Sequence, residues 1–370
     1  MFLERVKSIN NLIQEVEVPE VLSNIIEMIK PLDEGAMAEA RSRQDRLTKP
    51  QGSLGRLEEL SIQLAGIQGK PIPQIKHKAI ITMAGDHGVV AEKVGNWPQE
   101  VTAQMVYNFL GGGAGINVIG RQVGTRIIVV DMGVASELET NPKLLSRKVA
   151  PGTQNIALGP AMTNEQAVKA VETGIEIVTA EVAKGLDIVG TGDMGIGNTT
   201  PSSAICAVIT GKSVAEVTGR GTGITDEQLT HKVEVITRAL EVNRPDPAKP
   251  LDVLAKVGGF EIGGLAGVML AAAAHRIPIV IDGFISGAAA LIATALAPRL
   301  KDFLIPAHVS AEAGHKSLLN YLGLKPLLDL GMRLGEGTGA ALGIFLVETS
   351  ARILAEMATF AEAEVSEKEE

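Results

Sequence analysis

The spacing of apolar residues changes from helical to strand-like near residue 70. Two stretches before this point follow helical spacing, one through Leu3, Val6, Ile9, Leu12 and Ile13 and one through Leu57, Leu60, Leu64 and Ile67. After it, short apolar runs rich in β-branched residues occur at 79–83, 126–131, 186–189, 277–282 and 303–306. Such runs are typical of strands buried on both faces of a sheet.

Helical segments separate these runs and carry recognisable start signals. Thr163 and Gln166 have the spacing of a capping box, as do Thr225 and Gln228. Alternation of strands and helices indicates a parallel sheet with helices on both faces. The sequence therefore predicts a doubly wound α/β fold whose ligand lies beyond the carboxyl ends of the strands.

The two ends of the chain are predicted to pair. A long final helix, roughly 340–363, is the natural partner of the N-terminal helices. We expect residues 1–70 plus 340–370 to form a small helical domain, and residues 71–339 to form a large α/β catalytic domain.

Composition excludes several functional classes. The net charge of -9 argues against a nucleic-acid partner, which needs a basic face. The single cysteine, Cys206, allows neither a disulfide framework nor a Cys-x-x-Cys metal site. The most apolar stretch, 263–274, is shorter than the ~20 residues of a spanning helix. We interpret this stretch as a buried helix. The N-terminus lacks the apolar core of a signal peptide. The sequence therefore predicts a cytoplasmic location and no membrane partner.

The strongest local motif is GTGDMGIGNTTP, which follows the third apolar run and opens a helix. Gly195 and Gly197 allow the backbone to approach a ligand, and Asn198, Thr199 and Thr200 stand where free N–H groups favour an anion. The alternative is an ordinary capped turn between a strand and a helix. The segment is neither a P-loop nor a complete dinucleotide fingerprint, because the Gly-Lys-Ser/Thr and the third glycine are missing.

Glu336 stands between two glycines in RLGEGTG. It is either a solvated loop acid or an acid directed into a cleft, where burial would raise its pKa toward that of a general base. Asp86 and His87, in GDHG after the first apolar run, either bind a ligand or hold a turn. Lys232 by itself is most simply a solvated lysine, and Trp97 a packing anchor. The six histidines show no metal-ligand spacing, so no metal is predicted.

Seven motifs occur together in one order: KPQGSLGRLE (49–58), AGDHGV (84–89), PQEVT (98–102), GNTTP (197–201), KVGGFEIGGLAGVML (256–270), DGFISGAAAL (282–291) and RLGEGTGAAL (333–342). With them the chain resembles the nicotinate-nucleotide–dimethylbenzimidazole phosphoribosyltransferase family over about residues 35–360. The resemblance implies a Rossmann-like large domain, a small helical domain from both chain ends and a homodimer. It also implies transfer of phosphoribose from nicotinate mononucleotide to 5,6-dimethylbenzimidazole, which gives α-ribazole phosphate for the lower ligand of cobalamin, without a cofactor.

The resemblance also assigns roles to residues. Glu336 takes the role of the catalytic glutamate, Lys232 binds phosphate, and Leu334 lines the base pocket. The phosphate and ribose site comprises Asp193, Gly195, Gly197, Asn198, Thr199, Thr200, Lys232 and Ser310, and the base pocket comprises Trp97, Met105, Leu334, Asp86 and His87. The chain departs from the family pattern in two places. Asp193 occupies a position that is often Glu in the family, and Trp97 and Met105 stand where some members have small polar groups. They leave the preference for dimethylbenzimidazole over related bases open.

The motifs disfavour two other functional classes. A dinucleotide-binding dehydrogenase needs a Gly-x-Gly-x-x-Gly after the first strand, and the first run here ends in GDHG instead. A non-catalytic binding protein on the same fold has no need of a base such as Glu336.

Overall fold

The computed structural model describes residues 19–366. Six strands form one fully parallel sheet: β1 (Lys78–Gly85), β2 (Arg126–Gly133), β3 (Leu144–Ser146), β4 (Ile188–Met194), β5 (Ile279–Ile281) and β6 (Leu304–Pro306). Their spatial order is β3-β2-β1-β4-β5-β6. The order reverses between β1 and β4, which is the point where doubly wound sheets open a crevice for ligands. The predicted helix through Leu3 and Ile13 lies outside the described residues.

The helices account for most of the remaining described chain. They are α1 (Glu20–Met28), α2 (Glu34–Arg46), α3 (Arg56–Gln68), α4 (Glu100–Gly111), α5 (Gly115–Gln122), α6 (Asn164–Val182), α7 (Thr199–Thr210), α8 (Val214–Val217), α9 (Asp226–Asn243), α10 (Pro250–Val257), α11 (Phe260–Ala274), α12 (Phe284–Leu296), α13 (Ala313–Leu322) and α14 (Thr338–Glu356). Both predicted capping boxes are present, at the starts of α6 and α9. Every residue of α11 is buried, as its apolar sequence predicts.

Helices cover both faces of the sheet, which confirms the doubly wound α/β fold. Along β1, Ile81 and Met83 belong to one core, which contains α11, whereas Ile80 and Ala84 belong to a second core, which contains α14. This alternation follows from the period of two along a strand. The strands are therefore buried on both faces, as their continuous apolar runs predicted.

Helix α14 connects the sheet to the N-terminal helices. It packs against β1, β4, β5 and β6 and also against α2, α3 and α5. Its length and apolar composition would suit a membrane span, but 56% of the relevant window is buried inside the protein, which is the pattern of a core helix. The helix ends at Glu356, seven residues before the predicted end. The division into a small helical domain and a large α/β domain stays a prediction, as do the homodimer and the cytoplasmic location.

Strand β4 is longer than the sequence pattern predicted. The apolar run at 186–189 was expected to end before the GTG segment, but β4 continues to Met194 and pairs with β1 from Lys78 to Ala84. Gly190 and Gly192 therefore lie inside a strand, where glycine often marks the close approach of another backbone. A Cβ on Gly192 would lie 2.3 Å from the carbonyl oxygen of Glu336. The edge strand β3 was not predicted, because it has three residues and none of them is buried.

Candidate active site

A cleft of about 610 Å³ opens beyond the carboxyl ends of β4, β5 and β6. This volume lies within the range of roughly 300–1,000 Å³ that small-molecule sites occupy. Nine of the residues singled out from the sequence line it: Trp97, Met105, Asp193, Gly195, Asn198, Thr199, Ser310, Leu334 and Glu336. The fold thus brings together motifs that are more than 200 residues apart in the chain.

The backbone around Glu336 is held in an uncommon conformation. Its φ angle of 64° lies in the left-handed region and is flanked by Gly335 at 82° and Gly337 at 96°. Three consecutive positive φ angles disfavour residues with a Cβ atom at the flanking positions, which explains the two glycines. The N–H of Glu336 donates to the carbonyl of Asp193 over 3.1 Å, and its own carbonyl accepts from Oγ1 of Thr82 over 2.9 Å. Strands β1 and β4 therefore position this loop.

The Glu336 carboxylate is buried and directed into the cleft, not solvated. Its Oε2 accepts the N–H of Ile116 over 3.0 Å, at the start of α5. Burial raises the pKa of Glu336, and the Ile116 N–H opposes this effect. Gly115 permits the approach, because a Cβ there would lie 2.9 Å from Leu334 Cδ2 and 3.3 Å from Glu336 Oε2. An apolar side chain and a buried carboxyl group are thus neighbours at one wall of the cleft.

Asp282 supports the same loop, a role that sequence reasoning missed. Its carboxyl oxygens accept the N–H groups of Gly337, over 3.2 Å, and of Ala340, over 3.0 Å. These contacts satisfy free donors at the N-terminus of α14. Burial raises the pKa of Asp282 to about 7, against the lowering effect of these backbone donors. Its place directly after β5 was a signal, since polar residues at the carboxyl ends of parallel strands converge on the ligand crevice.

Asp193 lines the cleft near the end of β4. Its Oδ2 accepts the side-chain amide of Asn198 over 3.0 Å, while Oδ1 has no partner among the described residues. Burial raises the pKa of Asp193 well above its ordinary value, and the neighbouring charges of Asp282 and Glu261 raise it further. A protonated Asp193 can donate as well as accept a hydrogen bond.

The start of α7 and Lys232 build a site suited to an anion. Thr199 and Asn198 line the cleft at the helix N-terminus, where backbone donors and the helix dipole favour negative charge. Lys232 Nζ donates to Oγ1 of Thr199 over 2.8 Å and to the carbonyl of Gly219 over 3.4 Å. Lys232 is 1% exposed, so the expectation of a solvated lysine from its local sequence was wrong.

The electrostatic state of Lys232 follows from its burial. Burial lowers the pKa of Lys232 to about 8, and the Glu312 carboxylate acts in the opposite direction. Glu312 lines the cleft, and sequence reasoning assigned it no role. Its N–H donates to Oγ of Ser310 over 3.3 Å, and the Ser310 N–H donates to Nδ1 of His315 over 2.8 Å. These contacts fix Ser310, which is buried, in the wall of the cleft.

The apolar wall consists of Trp97, Met105 and Leu334, together with Met194. Trp97 is 53% exposed and Leu334 is 61% exposed. The exposed Trp97 side chain therefore borders the cleft instead of acting as a buried packing anchor. Exposed apolar side chains beside a cleft are suited to a flat aromatic ligand.

Several singled-out residues do not line the cleft: Gly197, Thr200, Lys232, Asp86 and His87. Asp86 and His87 are buried behind it. The Asp86 carboxylate accepts the N–H of Ala135 over 2.8 Å, and His87 Nε2 lies 2.9 Å from Oε1 of Glu261. These contacts agree with the alternative in which Asp86 and His87 hold a turn and do not bind a ligand. Neither residue lines the cleft, so the geometry does not place them in a base pocket.

Known proteins of one family resemble this chain over most of its length. A family model described as phosphoribosyltransferase matches residues 29–365. The nicotinate-nucleotide–dimethylbenzimidazole phosphoribosyltransferase of Desulforudis audaxviator (strain MP104C) is 62% identical over 348 residues, which cover 94% of this chain and 99% of the relative. The protein of that name from Dehalococcoides mccartyi (strain CBDB1) is 59% identical over 350 residues, covering 95% of this chain and 99% of the relative.

A solved structure gives the same result. The crystal structure of CobT from Thermus thermophilus superimposes with a TM-score of 0.87 at 48% sequence identity, covering 90% of this chain and 100% of that one. The matched family model spans most of the chain, and the relatives are matched over nearly their whole length. The chain therefore belongs to the nicotinate-nucleotide–dimethylbenzimidazole phosphoribosyltransferase family.

Proposed function

We propose that the chain transfers the phosphoribosyl group of nicotinate mononucleotide to 5,6-dimethylbenzimidazole, giving α-ribazole 5′-phosphate and nicotinate. The observation that carries this proposal is the composition of one cleft. It combines the buried Glu336 carboxyl group, an apolar wall around Trp97 and Leu334, and the start of helix α7 at Thr199. The carboxyl group can accept a proton, the apolar wall can bind a flat base, and the helix start can bind a phosphate.

The phosphate is assigned to the start of α7. Backbone N–H groups there bind phosphate oxygens. Lys232, which does not line the cleft, donates a hydrogen bond to Oγ1 of Thr199. Ser310 supplies a hydroxyl in the wall of the cleft. Asp193 is assigned to a ribose hydroxyl, because its Oδ1 is unpartnered within residues 19–366 and its raised pKa allows it to donate or accept. This fixed geometry holds the reacting atoms near one another.

In the reaction, the bond between ribose C1′ and the pyridine nitrogen breaks, and its electron pair goes to that nitrogen. The pyridinium nitrogen of the substrate is cationic, so nicotinate leaves without needing a proton. A ring nitrogen of dimethylbenzimidazole attacks C1′ from the opposite face, which converts the β-nucleotide into an α-riboside. Apolar contacts with Trp97, Met105 and Leu334 orient the base for this attack.

The second ring nitrogen of the base must lose its proton when the first forms the new bond. Glu336 is the proposed acceptor, since its carboxyl group lines the cleft and has a raised pKa. General-base catalysis of this kind contributes about 10²–10⁴ in rate. Asp282 and Thr82 fix the Glu336 loop, so the carboxyl group needs little reorganisation.

Incubation of the purified protein with nicotinate mononucleotide and a panel of bases tests the proposal. Nicotinate release and product mass are followed for dimethylbenzimidazole, benzimidazole, adenine and a phenol. Formation of an α-ribosyl product with dimethylbenzimidazole supports the proposal, and the ranking of bases reports on the wall around Trp97 and Met105. Absence of product with every base, while the nucleotide still binds, contradicts it.

A further inference from the structure

Arg333 reaches the end of the cleft that is assigned to the phosphate. Its Nη1 donates over 2.9 Å to the carbonyl of Gly221, in the segment 218–225 between α8 and α9, and both residues line the cleft. A Cβ on Gly221 would lie 3.3 Å from Oγ1 of Thr199 and 3.7 Å from Nζ of Lys232. Gly221 is thus a shared neighbour of the Arg333 guanidinium and of the start of α7.

Lys232 stands behind the wall of this part of the cleft. It is buried, it does not line the cleft, and its amine donates to Thr199 and to the carbonyl of Gly219. It also faces the charge of Glu312, which raises the pKa of Lys232 against the effect of burial. A Cβ on Gly219 would collide with Oε2 of Glu312, so this carboxyl group lies beside the same segment. Glu312 therefore offsets part of the Lys232 charge that an anion in the cleft would otherwise experience.

The guanidinium of Arg333 has donors to spare. It carries five N–H groups, and Gly221 is their one hydrogen-bond acceptor within residues 19–366. No carboxylate of these residues lies within 4.0 Å of the guanidinium nitrogens. A planar fork of N–H donors matches the oxygens of a phosphate, so Arg333 can bind Gly221 and a phosphate at the same time.

Other side chains near this end do not supply a free cation. Arg220 belongs to the same segment, but it is paired with Asp226 and does not line the cleft. His308 lines the cleft, but burial lowers its pKa and favours the neutral form. Among the lining residues of the described chain, Arg333 is therefore the one permanent positive charge.

We propose that Arg333 binds the phosphate of the nucleotide directly, whereas Lys232 acts on it from behind Thr199. The inference rests on the proposed function and deepens it by naming the cation that contacts the phosphate. A phosphate monoester carries a charge of about −1.5 to −2 at pH 7, more than one partly offset lysine can balance. The guanidinium supplies a second positive charge, and the backbone N–H groups at the start of α7 supply further donors.

Equilibrium titration of nicotinate mononucleotide and of nicotinate riboside, which lacks the phosphate, tests this role. We expect Arg333→Gln to weaken binding of the nucleotide by about 10- to 100-fold, the effect of losing a charge-assisted hydrogen bond. Binding of the riboside should change by less than about threefold, because it offers no phosphate to the guanidinium. The matched control is Arg220→Gln, which removes an arginine of the same segment that is paired with Asp226 and should leave both affinities unchanged.

The pKa of the bound phosphate gives a second readout, which a purely structural role of Arg333 would not move. The second pKa of a free phosphate ester is about 6, and a cation in contact lowers it by about one unit or more. Titration of the ³¹P resonance of the bound nucleotide should therefore give a phosphate pKa about one unit higher in Arg333→Gln than in the wild-type protein. Arg220→Gln should not shift it.

The outcomes separate the alternatives. Equal weakening of nucleotide and riboside would overturn the inference, because it would mean that Arg333 only holds Gly221 or acts on another part of the substrate. Unchanged nucleotide affinity, or an unmoved phosphate pKa, would overturn it as well. A wild-type protein that releases no nicotinate in the presence of dimethylbenzimidazole would refute the proposed function itself, whereas failure of the inference alone leaves that turnover intact.

Discussion

The backbone N–H of Glu336 donates to the carbonyl oxygen of Asp193 over 3.1 Å. This bond joins the loop before α14 to the end of β4, although the two residues are 143 positions apart in the sequence. It aligns the proposed proton acceptor with the residue assigned to the ribose. The sheet therefore sets the distance between Glu336, the proposed proton acceptor, and Asp193, the residue assigned to the ribose.

Substitution of Glu336 by Gln removes the proposed base and keeps the size of the side chain. We expect the rate of α-ribazole phosphate formation to fall by about 10²–10⁴, while the dissociation constant of nicotinate mononucleotide changes by less than about threefold. Single-turnover kinetics and equilibrium titration measure the two quantities. Glu137→Gln is the matched control, since the side chain of Glu137 is 91% exposed. Full turnover by Glu336→Gln with bound substrate would contradict the assignment.

The pH dependence of the chemical step should report the raised pKa of Glu336. A general base must be ionised, and burial raises the pKa of this carboxyl group above its ordinary value of 4.5. The single-turnover rate should thus decline, as pH falls, at a higher pH than for a solvent-exposed glutamate. A profile whose acid limb has its midpoint at or below 4.5 would exclude Glu336 as the buried base.

Binding of the phosphate should depend on the charge of Lys232. Burial lowers the pKa of Lys232 to about 8, so the ammonium group loses its proton as the pH rises through this value. We expect the affinity for nicotinate mononucleotide to decline above pH 8, and a Lys232→Met variant to show no such decline. Titration of nicotinate riboside, which lacks the phosphate, is the control and should give the same affinity for both proteins. A decline shared by the Met variant would assign the effect to another group.

Gly192 allows the Glu336 loop to contact strand β4. A Cβ at this position would lie 2.3 Å from the Glu336 carbonyl, whereas a Cβ on Gly159 would meet nothing within 4 Å. Gly192→Ala should shift the loop and reduce kcat by about 10²-fold or more, since misplacement by about 1 Å is costly. Gly159→Ala should leave kcat unchanged. An unaffected kcat in Gly192→Ala would show that the contact does not position Glu336.

Asp282 is expected to act through the loop and not on the substrate. Asp282→Asn replaces one acceptor oxygen by an amide donor that faces the N–H of Gly337 or Ala340. An unsatisfied buried N–H costs about 1–3 kcal/mol, so the free energy of unfolding should fall by that amount. The single-turnover rate should fall as well, with little change in nucleotide affinity. A stability loss with an unchanged rate would confine Asp282 to a structural role.

Much of this protein was predictable from local sequence. Continuous apolar runs marked five of the six strands, and Thr163 and Thr225 marked the starts of two helices. These predictions succeeded because the periodicity of side chains and the chemistry of caps act over a few neighbouring residues. The acid between two glycines was recognisable for the same reason, since positive φ angles on either side of Glu336 require them.

Only the tertiary structure decided which polar side chains are buried and what they face. The local sequence around Lys232 is that of an amphipathic helix with the lysine at its surface. In the fold, the Lys232 amine is buried and donates to Thr199 and Gly219. Asp282 acquires its role from Gly337 and Ala340, 55 and 58 positions away. Burial and desolvation depend on contacts between residues distant in sequence, and these contacts exist only once the sheet has formed. The sequence by itself determined the fold class and the motifs, and packing determined which of their residues meet in the cleft.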